Sequence, residues 1–197
     1  MENRIDKILS SVANDLWGAQ PQEPVQEAPA QPEIPAYQPS FPPFEQLWKT
    51  ADETVDWTEA LISAEPVDGL TNPQLWRFYH TQAKAVLDGD LHAYAEVLRA
   101  GKPLHDLTRY TTAMSIDVNS ADKLTARFTP AEAYLQHDAR RYLCGMALRI
   151  ARDLMAILPV TTVCVEADGH LDVTFSRAEL QKVRFSFVDP VAFVEAL

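Results

Sequence analysis

The sequence predicts an α+β domain carried behind a tethered arm. Three observations lead there. Apolar residues recur at helical spacing through most of residues 73–158, the period changes to two after Pro159, and eight of the 14 prolines crowd into positions 21–43. Together they imply a helical hairpin and a long central helix packed on a small three-stranded, mainly antiparallel sheet, preceded by an amphipathic helix and a proline-rich linker.

Residues 3–17 carry Ile5, Ile8, Leu9, Val12 and Leu16 on one helical face with Trp17 beside them, and Gly18 closes the segment. A helix of this length is marginal alone in water and needs a surface to pack on. Residues 19–43 mix proline with Gln, Glu and Ala, which blocks helix and sheet alike and predicts an extended, semi-rigid spacer. Residues 44–72 place Phe44, Leu47, Trp48, Val55, Leu61 and Ile62 among acids, predicting one or two amphipathic helices stopped by Pro66 and Gly69. The domain proper is assigned to residues 73–197.

Within it, Asn72-Pro73 supplies an N-cap and a first-turn proline for a helix running to about Leu87. Asp90 caps a second helix over residues 91–100, and the pair reads as a hairpin. Residues 104–113 and 121–128 are predicted as shorter helices. Thr129-Pro130 is expected to start the longest helix, roughly 131–158, with a broad apolar arc and one wet edge carrying Asp138, Arg141, Arg149 and Arg152.

Beyond Pro159, alternation predicts three half-buried strands around Val163–Val165, Leu171–Phe175 and Val183–Phe187. The first two are expected to form a hairpin with Val165 opposite Leu171, Val163 opposite Val173, and Ala167-Asp168-Gly169 as the loop. Ser176-Arg177-Ala178-Glu179 is a capping box, and Asp189-Pro190 starts a final helix.

Charge divides the chain in the same way. The sequence has 28 acidic and 17 basic side chains, a net of −11. Residues 1–72 hold 13 acids against three bases (Arg4, Lys7, Lys49), whereas residues 73–197 hold 15 against 14. The acidity belongs to the arm and its continuation, and it argues against nucleic-acid phosphates as a partner. The longest uncharged stretch, Leu154 to Val165, is 12 residues and interrupted by Pro159, too short for a membrane span. No basic region followed by an apolar one opens the sequence, so no secretory signal is read. Cys144 and Cys164 are too few for a disulfide scaffold, and two reduced thiols suit a cytoplasmic protein.

Most catalytic signatures are missing. The six glycines form neither a dinucleotide fingerprint nor a P-loop, no HExxH or CxxC occurs, and the five histidines lie far apart, so no cofactor and no metal site is expected. One constellation remains on the polar sheet face. Glu166, expected opposite His170, with Asp172 and Arg184, makes a small acid–base or binding surface, or simply the solvated side of a one-sided sheet.

Three functions compete. The first is a non-enzymatic interaction or adaptor protein, whose helix anchors Ile5, Ile8, Leu9, Val12, Leu16 and Trp17 dock in a groove on another protein or mediate self-association. In general layout this arm resembles peptides that target cargo into bacterial protein compartments. The second is a small enzyme using Glu166, His170 and Asp172. The third is an acidic decoy that mimics nucleic acid.

Overall fold

A computed structural model of the chain describes residues 44–63 and 72–197, all within one compact unit, Phe41–Leu197. The other unit, Met1–Ser40, lies outside the described residues. A 3₁₀ helix, Phe44–Lys49, comes first, then α1 (Trp57–Ile62), α2 (Pro73–Leu87), α3 (Leu91–Gly101) and a second 3₁₀ helix, His105–Tyr110. The strands β1 (Thr111–Ser120) and β2 (Lys123–Pro130) precede the long helix α4 (Glu132–Ile157), and β3 (Thr162–Ala167) and β4 (Leu171–Ser176) follow it. Two short helices, α5 (Arg177–Leu180) and α6 (Pro190–Glu195), complete the set.

The fold is α+β, and its sheet is mixed and four-stranded rather than three-stranded and mainly antiparallel. The order is β1-β2-β3-β4, with antiparallel pairs at the two sides and a parallel pair, β2 and β3, in the middle. Parallel neighbours need a long crossover, and α4 supplies it. Three corrections follow. Short helices were expected over residues 104–113 and 121–128, but the chain forms a 3₁₀ helix at 105–110 and strands at 111–120 and 123–130. Residues 183–187 form no strand, because α5 turns the chain off the sheet and Phe185 goes under the Arg152 guanidinium, 3.5 Å from the ring centre, while Phe187 is 86% exposed. The hairpin pairs Val165 with Val173 and Val163 with Phe175, two residues from the expected register.

That hairpin turn is Asp168-Gly169, with positive φ at both residues (27° and 79°) and the His170 N–H donating to the Ala167 carbonyl at 2.6 Å. With Ala167 paired to Leu171 the loop still has three residues, but it is Asp168-Gly169-His170, one position later than expected and with Gly in the middle, and that displacement moves the register by two. A shift of two keeps every side chain on its expected face.

Helix starts agree closely with their caps. The Asn72 carboxamide accepts the N–H groups of Gln74 and Leu75, Asp90 accepts those of His92 and Ala93, and Asp189 those of Val191 and Ala192. Ser176 and Glu179 close a reciprocal capping box. The start of α4 differs: Pro130 ends β2, Ala131 is an N-cap with no side-chain bond, and Asp138 (φ −153°) breaks the helix and recaps it by accepting the Arg141 N–H at 3.1 Å.

From Tyr142 onward α4 is buried nearly all round. The sheet lies on one side, where Phe128, Val163, Val165 and Phe175 are at most 2% exposed. The segment from Phe44 to Trp57 covers another: Trp48 is 1% and Trp57 4% exposed, the Val55 N–H donates to the Ala156 carbonyl (2.9 Å), and the Trp57 indole donates to that of Ile157 (2.9 Å). Gly145 makes this approach possible, since a Cβ there would come within 2.9 Å of the Trp48 ring. The expected wet edge is therefore absent at Arg149, which is 3% exposed. At the far end of α4, Arg177 donates to the carbonyls of Met155, Leu158 and Val160 at 2.7–2.8 Å, placing a cation where a helix leaves unpaired acceptors.

Candidate functional site

The sheet has one face against α4 and one open face. Successive residues of a strand point to opposite sides, so Ser115 and Asp117 of β1, Thr125 and Arg127 of β2, Cys164 and Glu166 of β3, and Asp172 and Thr174 of β4 share the open side. Arg127 organises it. Its Nε donates to Glu166 at 2.7 Å and its Nη1 to Asp117, so one guanidinium ties β1, β2 and β3 together. Thr125 donates to the Asn119 side chain at 2.8 Å, and Cys164 lies 3.2 Å from the Thr174 hydroxyl.

Glu166 and Asp172 sit directly opposite one another on this face, because the register moved. The expected facing of Glu166 and His170 is not formed: His170 is the exposed last residue of the turn. Arg184 is exposed in the irregular segment after α5, away from the strands. Arg127 went unnoticed because residues 121–128 were expected to be helical, and Asp117 because residues 114–120 were assigned to no element, although Ile116-Asp117-Val118 carries the period-two signal. The arm anchors Ile5, Ile8, Leu9, Val12, Leu16 and Trp17 lie outside the described residues.

A second polar cluster is internal. Arg149 Nε donates to Asp153 at 2.5 Å, its Nη1 to the Thr50 hydroxyl, and its Nη2 faces Asp106 (3.3 Å) and Asp52 (3.6 Å). Asp153 is fully buried, and its other oxygen accepts the Asp52 N–H at 3.0 Å. Burial pushes the Asp153 carboxyl up to about 7, outweighing the attraction of Arg149, and raises Asp52 as well. Three carboxylates around one guanidinium knit the 50–57 segment and the second 3₁₀ helix to α4. They are joined to structural partners, which makes them scaffold.

A shallow groove of about 530 Å³ runs between α4, β4 and α6. Leu143, Cys144 and Val194 line it, with Arg140 and Glu195, an ion pair, and His170 also present. Burial raises the Cys144 thiol, so no activated nucleophile stands there. Among the described residues no three His, Cys, Asp or Glu side chains gather in a way that would hold a metal ion, and no helix is long and apolar enough to cross a membrane. No family model, curated protein or solved structure matches the chain.

Proposed function

We propose that the protein is a non-enzymatic interaction or adaptor protein of the cytoplasm, in which the amphipathic stripe of residues 3–17 engages another protein and the α+β body serves as its rigid base. The observation that carries this reading is where the body begins. Its compact unit takes up at Phe41, and Phe44, Leu47 and Trp48 are already core residues. The proline-bearing stretch thus stands between that unit and a set of six apolar anchors at helical spacing, a pattern suited to a groove on a partner. Two free, buried cysteines fit a reducing compartment. On the open sheet face Asp117, Arg127 and Glu166 are tied up in an ion-paired row, which supports binding over acid–base turnover.

The test is affinity capture from the protein's own cells with the full chain and with Leu9→Asp/Val12→Asp. A partner retained by the wild type and lost by the variant, at unchanged melting temperature, supports the reading. Identical partners, or a lowered melting temperature, would sink it, the latter because the stripe would then be packing on the body.

A further inference from the structure

β1 is an edge strand of ten residues, and among the described residues its backbone pairs with β2 alone. Sheet edges of this length are usually blunted by lysine, proline or a central bulge. Thr111–Ser120 contains no Lys, Arg or Pro, and its register irregularities fall at the two ends, between Thr111 and Ala113 and between Val118 and Ser120. The lone charge, Asp117, is already neutralised by Arg127. Met114, Ile116 and Val118 point to the core side but stay half-buried, an apolar row at the margin of the core.

We propose that β1 pairs antiparallel with β1 of a second copy of this chain, joining two four-stranded sheets across a two-fold axis at Ile116. The register follows from the residues. Opposed residues in an antiparallel pair share a face, so a strand paired with itself must be centred on a residue. Centring on Asp117 sets two carboxylates opposite each other. Centring on Ser115 leaves Val118 facing Thr112. Centring on Ile116 places Met114 against the second copy's Val118 and Ile116 against its own counterpart. On the open side, Asp117 then faces Ser115. Of these three registers, only this one pairs all three apolar residues with apolar residues and keeps the carboxylates apart. The occupant is a second copy because the strand is complementary to itself in both apolar pattern and charge. The inference is independent of the role of residues 3–17.

Ser115 makes the test, because it is exposed and has different neighbours within and between copies. Within one copy it opposes Arg127; across the axis it would face Asp117. Sedimentation velocity of the full chain over a wide concentration range should show a reversible monomer–dimer equilibrium. Ser115→Asp should weaken the dimer about tenfold and Ser115→Lys tighten it by a similar factor, since the two-fold axis counts each new charge pair twice. Within the monomer the signs reverse: Asp beside Arg127 should raise the melting temperature, and Lys should lower it. Added salt should shrink both dimer effects. A chain that stays monomeric at every concentration overturns the proposal. So does a dimer that both substitutions leave unmoved or shift in the same direction, and so does a monomer whose β1 accepts only an extended segment of another protein.

Discussion

The carboxylate of Asp153 accepts the backbone N–H of Asp52 at 3.0 Å, a contact across 101 residues that fastens the incoming segment to the central helix. Its other oxygen holds the buried Arg149, so removing it takes the one fully buried carboxylate from a guanidinium that is 3% exposed and leaves it Thr50 and the half-exposed Asp52 and Asp106. Asp153→Ala should cost about 3–5 kcal/mol in urea unfolding, the usual penalty for breaking one side of a buried pair.

The same carboxyl gives an unusual pH dependence. Its folded pKa, about 7, lies above the ordinary 3.8, so between these values the native state binds the proton more tightly than the unfolded chain. The stability contributed by Asp153 is fully present below about pH 4, falls as the pH rises toward 7, and levels off above it. Asp153→Asn stays neutral throughout. Its penalty relative to wild type should therefore be larger at about pH 5 than at about pH 8, by about 2–4 kcal/mol. A penalty that grows with pH in paired urea titrations would contradict the burial argument.

Gly145 offers a sign reversal. In an exposed helix interior, Gly→Ala stabilises by about 1 kcal/mol. Here the new Cβ would lie 2.9 Å from the Trp48 ring, itself fixed by an indole bond to the Val188 carbonyl at 3.2 Å. Gly145→Ala should destabilise by about 1–3 kcal/mol despite its better propensity. Thermal melts decide the sign.

Gly169 isolates backbone strain, because no atom beyond its own and its two chain neighbours' lies within 4 Å of where its Cβ would sit and its φ is +79°. Gly169→Ala should cost about 1–2 kcal/mol from the left-handed backbone alone. Gly169→Asn should cost less, since Asn tolerates that region. Equal losses in chemical denaturation would mean that the turn relaxes to another conformation.

Arg177 bonds to three carbonyls at the end of α4 and its exit. Arg177→Met keeps the stem and removes the donors. It should cost about 1–3 kcal/mol, with faster hydrogen exchange in the last turn of α4. Arg177→Lys should recover only part, because one ammonium lacks the planar fork.

Much of this architecture was legible wherever the determinant is local. Asn72, Asp90, Ser176 and Asp189 all cap the helices expected from them, since a cap is settled within three residues. The alternation of β3 and β4 fixed the face of each side chain. The parallel pairing of β2 with β3 was hidden: Leu124 and Val163 are partners 39 residues apart, and nothing in Lys123–Pro130 announces that neighbour. Val183–Phe187 failed in the opposite sense, because alternation describes a strand only when an edge is there to receive it. Of the candidate site, Glu166 and Asp172 were placed on the open face, but their opposition was missed by a register shift of two residues, and Arg127 went unseen with its strand.

The bonds that fasten Trp48 to Val188 and Trp57 to Ile157 carry a consequence for synthesis. The ribosome releases both tryptophans long before it makes their acceptors. At about 5–20 residues per second, the hundred residues separating Trp57 from Ile157 take about 5–20 s. The β1–β2 hairpin is complete in sequence only at Pro130, late in that interval, and even then the helix that hides the two indoles has not yet been made. Each nascent chain therefore passes through a stage with two large aromatic surfaces on offer to chaperones, and a chain stalled inside α4 stays there.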